Sequence, residues 1–310
     1  MARGKGKRTS TMALVGWAVL MLALGLGAGL MLGQQGCGKR ETHEKREAPK
    51  PEPKKPEKKP PEPKAKPNSV ATKPQSQEPT RPLPRLALVI DDLGYIQPEL
   101  VTRLCSLPLA FSVAVLPYQE YTRESAEIAH RMGKEVMLHL PMEPIGYPGP
   151  GRDPGPNSIL YNLPETEVRR RVRLALDEIP YRVGVNNHMG SRITPDRTRM
   201  GWVLQEIKAR KFFFVDSRTE KDSVAFDVAE QLGIPAVERH VFLDDDKAFP
   251  EMEKQWERAL KLAEKDGSVL IIGHIYPETV EALEKLMPRS KGQVRFVKAG
   301  ELARGSPQNK

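Results

Sequence analysis

The chain has 310 residues, with 49 Lys and Arg against 40 Asp and Glu, and a formal net charge of +9. Residues 1–80 hold 16 of these cations and 7 of the anions, whereas residues 81–310 hold 33 of each, so the whole excess lies in the N-terminal segment. Because the remainder is neutral, the pI near 9.4 does not indicate a nucleic-acid-binding surface, and we expect no nucleic-acid partner.

Residues 1–11 form a short basic segment, and an uncharged apolar run from Met12 to Gly33 follows it. As a helix these 22 residues would span roughly 33 Å, which exceeds the bilayer core of about 30 Å. A cleavable signal sequence is the alternative, although its apolar region usually has only about 7–15 residues. Because the basic residues precede the run, we predict an uncleaved bacterial inner-membrane anchor whose following domain faces the periplasm or the cell exterior.

Residues 34–84 are predicted to be a disordered linker. The stretch 41–80 contains ten Pro, ten Lys or Arg and seven Glu, and almost no bulky apolar residue that could offset the entropy of ordering. Extended at about 3.1 Å per residue, some 40 residues could reach up to roughly 120 Å. The linker is either a tether that carries the domain through a cell-wall layer or a solvated spacer without a length requirement.

The two cysteines imply no disulfide framework. Cys37 lies where a lipoprotein signal would place its acylated cysteine, but Gln34 occupies the position where that signal prefers Leu, so lipidation is the weaker alternative. Cys105 lies in an apolar helical stretch and is predicted to be a small buried hydrophobe.

Residues 85–303 alternate short apolar runs with amphipathic helices, and residues 304–310 are predicted to be a disordered tail. The predicted strands are Leu86–Ile90, Ala110–Leu116, Glu135–Leu140, Val183–Asn186, Phe212–Val215, Ala236–Phe242, Val269–Ile272 and Val294–Val297. The predicted helices include Thr122–Met132, Pro164–Ile179, Pro195–Arg210, Ser223–Leu232, Phe249–Lys265 and Pro277–Met287. Strands that are apolar on both faces and separated by helices imply a parallel sheet, and seven or eight such units favour a (β/α) barrel.

The segment from Met142 to Ser158 interrupts this alternation and is rich in Pro and Gly. It is predicted to be a long irregular loop, either over the site end of the barrel or as an insertion without function.

Polar residues occur at the ends of several predicted strands. They are Asp91, Asp92, His139, Asn187, His188, Asp216 and His274. Since all strands of a (β/α) barrel end at one mouth, these side chains are expected to converge. Four of the six histidines lie in or just after strands, namely His139, His188, His240 and His274. Whether His240 belongs to the site or faces the barrel wall is left open. Asp244–Asp246 are interpreted as a solvated loop.

Asp91 and Asp92 are adjacent carboxylates whose repulsion favours a compensating cation. Two His and one Asp are the ligands expected of a catalytic divalent site with open positions, for which Zn²⁺ is the first choice. Such a metal activates water and polarises a carbonyl oxygen, as amide hydrolysis requires. Each of these residues could instead have a purely structural role. An Asp after a strand can cap a helix, and a buried His can be a hydrogen-bonded core residue.

Several segments together resemble the divergent polysaccharide deacetylase family of bacteria, over nearly all of residues 85–303. They are Ile90–Tyr95, Phe111–Pro117, Leu138–Pro144, Asn186–Ser191, Phe214–Arg218 and Gly273–His274. The resemblance implies a deformed (β/α) barrel of seven or eight parallel strands and a carbohydrate-modifying role.

The resemblance also implies roles for individual residues. Asp91 corresponds to the catalytic base, Asp92 and His139 to metal ligands, and His274 to the acid. Two features depart from the broader superfamily: Glu143 occupies the place of its second His ligand, for which His188 is the expected substitute, and its Arg-Pro motif is absent.

The function predicted is a metal-dependent hydrolase that removes acetyl groups from a cell-envelope polysaccharide. Asp91 and His274 are the expected catalytic residues and Asp92, His139 and His188 the expected metal ligands, while Glu143, Asn187 and Asp216 are expected to support the ligands or contact substrate. One alternative is an inactive barrel that serves as a glycan-binding or envelope-assembly module. Another is a glycosidase in which Asp91 pairs with Glu143 or Asp216 about 5–10 Å away.

Overall fold

The computed structural model describes residues 82–305. The predicted basic segment, the predicted membrane anchor and nearly all of the predicted linker lie outside the described residues, as do residues 306–310. Within residues 82–305, no helix has both the length and the apolar character that crossing a membrane requires.

Strands and helices alternate through the described residues. In chain order they are β1 (Arg85–Leu93), α1 (Pro98–Cys105), β2 (Ser112–Val115), α2 (Thr122–Arg131), β3 (Glu135–Met142), α3 (Glu165–Glu178), β4 (Arg182–Met189), α4 (Arg197–Ala209), β5 (Phe213–Asp216), α5 (Ala225–Gln231), β6 (Ala236–Glu238), β7 (Val241–Phe242), α6 (Phe249–Asp266), β8 (Ser268–His274), α7 (Pro277–Arg289), β9 (Arg295–Val297) and α8 (Ala299–Gly305). Two predictions need correction. The run Ala236–Phe242 is two strands, and α8 includes residues 304–305, which we expected in a disordered tail.

All strands pair in parallel, in the order β6-β5-β4-β3-β2-β1-β8-β7, with β9 beside the first half of β1. Only Arg239 and His240 separate β6 from β7, although these two strands form opposite edges of the sheet. The sheet therefore curves round until one stretch of chain supplies both of its edges, which gives a parallel α/β half-barrel. The predicted parallel α/β class is confirmed.

Alternate side chains of each strand point to opposite faces of the sheet, and the two faces have separate cores. In β1, Leu86, Leu88 and Ile90 pack outward against the helices. Ala87 and Val89 pack inward with Met137 and Phe213, and α8 closes that end of the interior through its Leu302 and Ala303. The next inward position of β1 is Asp91, at the open end. Cys105 is 2% exposed in the outer core, as predicted.

Gly184 occupies an inward position of β4 that the ring of Phe213 fills. A Cβ at this position would overlap the ring of Phe213, with Cζ as its nearest atom. We expect Gly184→Ala to lower the free energy of unfolding by about 1–3 kcal/mol through overpacking, as measured by urea denaturation. Gly201 in α4 is the control, because a Cβ there meets nothing within 4 Å and Ala favours a helix by up to about 1 kcal/mol. An equal loss for both variants would contradict the packing argument.

Candidate metal centre and its pocket

A bulge in β1 turns two successive carboxylates toward the same site. The register with β2 shifts between Ile90 and Leu93, and Asp92 adopts a φ of 65°. Left-handed backbone is uncommon for a residue other than Gly, and bulges of this kind redirect a side chain. As a result, the Nε2 atom of His139 lies 3.7 Å from Oδ2 of Asp91 and 3.2 Å from Oδ1 of Asp92.

Asp92, His139 and His188 bring three potential ligand atoms together. Oδ1 of Asp92 lies 3.2 Å from Nε2 of His139 and 3.0 Å from Nδ1 of His188, and the two nitrogens are 3.1 Å apart. Atoms bound to one ion at about 2.1 Å lie roughly 3.0–3.4 Å from one another, so the triangle has the size of a coordination face. Oδ1 of Asp92 is buried, and no residue in the described part of the chain forms a hydrogen bond of good geometry with it. These three residues therefore fit a divalent metal.

Asn186 fixes the orientation of His139 and connects it to Asp91. The carbonyl oxygen of the Asn186 side chain lies 2.8 Å from Nδ1 of His139, and its amide group donates to Oδ1 of Asp91 at 2.8 Å. Because that carbonyl can only accept, Nδ1 carries the proton and the lone pair of Nε2 faces the triangle. The prediction had named Asn187 instead. The alternation of β4 was the missed signal, since Gly184, Asn186 and His188 share one face.

The two adjacent carboxyl groups have opposite electrostatic settings. Burial raises the pKa of Asp91, and the nearby Asp92 carboxylate adds to this, against the opposing effects of His139 and His274. Burial also acts on Asp92, but the imidazoles of His139 and His188 outweigh it and hold the pKa of Asp92 well below its usual range. Asp92 is therefore the ionised carboxylate of the pair, and Asp91 is the better proton acceptor near neutral pH.

Asp244 holds His274 at the other side of the site. Its buried carboxylate lies 2.9 Å from Nδ1 of His274 and also accepts from the backbone N–H of His274 at 2.6 Å and from Oγ1 of Thr279 at 2.7 Å. Burial alone would lower the pKa of His274, but Asp244 raises it to about 9. The interpretation of residues 244–246 as solvated was right for Asp245 and Asp246, which are exposed, and wrong for Asp244.

The pairing with Asp244 makes His274 a source of pH-dependent stability. Protonated His274 stabilises the folded domain fully below its ordinary pKa of 6.5, and this contribution is lost as the pH rises through about 9. We expect Asp244→Asn to move the pKa of His274 down toward 6.5, measured by NMR titration of its ring, and to remove the loss of stability between those pH values. The exposed Asp246→Asn variant should leave the pKa unchanged. An unshifted pKa in Asp244→Asn would contradict the pairing.

Glu143 and Asp216, two predicted supporting residues, lie outside the site. Glu143 forms an ion pair with Arg192 and accepts from the backbone N–H of Tyr161 at 2.6 Å. Asp216 faces away from the interior and accepts from Oγ of Ser223 at 2.7 Å. Neither carboxylate lines the pocket described next, so neither predicted glycosidase pair, Asp91 with Glu143 or Asp91 with Asp216, lies in it.

Asp91, His139 and His274 line a pocket of about 560 Å³ at the open end of the half-barrel. Asn187 also lines it and accepts from the backbone N–H of Ser217 at 2.9 Å. The loop expected over the site, 142–158, contributes no lining residue, and the ambiguous His240 is likewise absent from the lining. Sequence reasoning also missed three lining arginines, Arg218, Arg239 and Arg258.

Comparison with known proteins gives the same family as the motifs. The model of the divergent polysaccharide deacetylase family matches residues 88–303. The uncharacterised protein YibQ of Escherichia coli K12 is 37% identical over 219 residues, covering 70% of this chain and 67% of its own. An uncharacterised protein of Haemophilus influenzae Rd is 33% identical over 220 residues, covering 71% of this chain and 77% of its own.

A solved structure shares the fold. The crystal structure of the uncharacterised protein ATU2773 from Agrobacterium tumefaciens C58 superimposes with a TM-score of 0.68 at 23% identity, covering 72% of this chain and 90% of its own. The family model matches residues 88–303, and both relatives are more than 30% identical to this chain. The chain belongs to the divergent polysaccharide deacetylase family.

Proposed function

We propose that the domain is a metal-dependent hydrolase that removes acetyl groups from a cell-envelope polysaccharide. The observation that carries this proposal is the triangle of Asp92, His139 and His188, whose member His139 lines one pocket together with Asp91 and His274. A buried proton acceptor, a cationic proton donor and a divalent-metal ligand set are together the components of amide or ester hydrolysis. Membership of a polysaccharide deacetylase family supports the choice of an acetylated glycan.

Asp92, His139 and His188 would hold the metal, with Zn²⁺ as the first choice. When bound, it supplies a Lewis acid beside the scissile carbonyl and makes water more acidic. Asp91 accepts a proton from the attacking water, and the amide of Asn186 holds its carboxylate in place at 2.8 Å. Water adds to the acetyl carbonyl and the bond to the sugar nitrogen or oxygen then breaks, which releases acetate.

His274 protonates the leaving group. Asp244 accepts from Nδ1, so the second ring nitrogen remains for the pocket, and a pKa of about 9 keeps the ring protonated at neutral pH. The burial of Asp91 and the ion pair of His274 with Asp244 thus assign the role of base to Asp91 and the role of acid to His274.

A glycan-binding module without catalysis is the second candidate, because Asn186–His188 occupies the place of the Arg-Pro motif of the broader superfamily. The two candidates differ in the fate of the acetyl group. The full chain, purified in detergent and loaded with Zn²⁺, should release acetate from N-acetylated or O-acetylated cell-wall glycan, and chelation followed by Zn²⁺ should abolish and restore release. Binding of glycan by loaded protein without acetate release would instead support the module.

The location of this activity is also a proposal. A basic N-terminus followed by the apolar run 12–33 supports an inner-membrane anchor with the domain facing the periplasm or cell exterior, where a cell-envelope glycan is within reach.

A further inference from the structure

Three arginines are among the residues that line the pocket, Arg218, Arg239 and Arg258. Arg218 has a counter-ion, since Glu238 lies 3.3 Å from its guanidinium. Arg239 and Arg258 form no ion pair with any residue in the range 82–305, and Arg258 bonds only to Oε1 of Gln255, at 3.3 Å. Within residues 82–305, the exposed Asp245 is the one lining carboxylate besides Asp91. Among the described residues, the pocket therefore has two lining cations without a counter-ion, the half-buried Arg239 and the exposed Arg258.

Arg239 is held rigidly at the seam between β6 and β7. Its Nε donates to the carbonyl oxygen of Ser217 at 2.7 Å, its Nη2 donates to that of Arg218 at 2.8 Å, and its guanidinium lies 4.7 Å from the centre of the Phe242 ring. Two of its five N–H donors are used in this way, which leaves three uncommitted. The local fold thus fixes the position of the guanidinium without neutralising it.

A half-buried guanidinium without a counter-ion has lost part of its hydration with no compensating charge. Asp216, Asp91 and Asp245 are the carboxylates that act on Arg239 electrostatically, but none of them forms an ion pair with it. An anionic group on a ligand would supply the missing charge. A guanidinium recognises carboxylate or phosphate through two parallel hydrogen bonds, which gives strength together with orientation.

We infer that the pocket selects an acetylated sugar bearing an anionic group, a carboxylate or a phosphate, and that Arg239 and Arg258 bind this group. The inference rests on the proposed deacetylase function and specifies its substrate class. Asp91 and His274 line the same pocket of about 560 Å³ as the two arginines. The charge therefore belongs on the acetylated sugar or on the sugar next to it.

The test is a binding measurement that excludes turnover. The full chain, stripped of metal by a chelator, is titrated calorimetrically with N-acetylglucosamine, N-acetylmuramic acid and N-acetylglucosamine 6-phosphate. The second probe adds a carboxylate to the first, and the third adds a phosphate. We expect at least one acidic sugar to bind about tenfold or more tightly than the neutral sugar, and the tighter one identifies the source of the charge. Added salt should narrow the difference.

Two variants test whether the pocket arginines cause the preference for acidic over neutral sugars. Arg239→Gln and Arg258→Gln should each reduce it to within about threefold, whereas Arg123→Gln, which removes an exposed cation from α2, should retain it. Since Arg239 also bonds to two backbone carbonyls, Arg258→Gln carries the test if Arg239→Gln fails to fold. Equal binding of all three sugars by the unaltered chain overturns the inference, as does a preference that survives in Arg258→Gln. Because the protein is metal-free, neither result depends on whether acetate release is observed.

Discussion

Asp92→Ala is expected to release the divalent metal and to lower kcat/KM on acetylated glycan by on the order of 10³-fold or more. Asp92 is the carboxylate of the triangle, and its buried Oδ1 atom has no hydrogen bond of good geometry with residues 82–305. Its removal leaves two imidazoles, and it takes away the negative charge that offsets the charge of the ion. The fold should persist, because neither core contains Asp92.

Metal content per chain, determined by mass spectrometry, and the thermal stability gained on adding Zn²⁺ measure this effect directly. A ligand at 100 times its Kd stabilises a protein by about 2.7 kcal/mol, and this gain should vanish in Asp92→Ala. The matched control is Glu143→Gln, whose carboxylate already binds Arg192 and the backbone of Tyr161. His188→Ala should weaken metal binding as well. Full metal occupancy in Asp92→Ala would place the metal elsewhere.

Asp91→Asn, unlike Asp92→Ala, is expected to retain the metal, while kcat falls by about 10²–10⁴-fold. Asn has the same shape as Asp and its carbonyl oxygen can still accept from the amide of Asn186, so the packing of the buried site is kept. It cannot accept a proton from water. Since Asp91 lies outside the ligand triangle, 3.7 Å from Nε2 of His139, metal affinity should change little.

Steady-state kinetics and metal analysis on the same preparation separate these two effects. A fall in kcat with an unchanged KM and one metal per chain is the expected result. The control is Asp246→Asn, which changes an exposed carboxylate that accepts from the backbone N–H of Ala248. Loss of metal together with activity in Asp91→Asn would make Asp91 a ligand, and unimpaired turnover would remove its assignment as base.

The alternation of apolar runs and helices was enough to predict the parallel α/β class and most element positions. It also predicted the gathering of Asp91, His139 and His274, since parallel strands end at the same edge. Asp244 escaped prediction because its role depends on tertiary structure. It belongs to a run of three acids, and only the packing of the segment after β7 against β8 brings it to His274.

Strict alternation fails at the two places where the strand geometry is irregular. In a regular strand, Asp92 would face away from Asp91, and the bulge with its φ of 65° reverses this. Glu143 shows the converse. It follows His139 at even spacing and so should face inward, but β3 ends at Met142, which bridges to Ile159 and turns the chain away. The bulge at Asp92 has no signature in the residues themselves, whereas the Pro- and Gly-rich segment 142–158 already indicated that regular alternation ends before Glu143.

The position of β1 in the sheet has a consequence for folding during synthesis. Asp91 pairs in register with His274, so the partner strand β8 leaves the ribosome roughly 180 residues after β1. At about 5–20 residues per second, β1 keeps an open edge for some ten to forty seconds. The strand that bears the two carboxylates is thus exposed to pairing with other chains for most of translation, and a chain truncated before β8 would remain so.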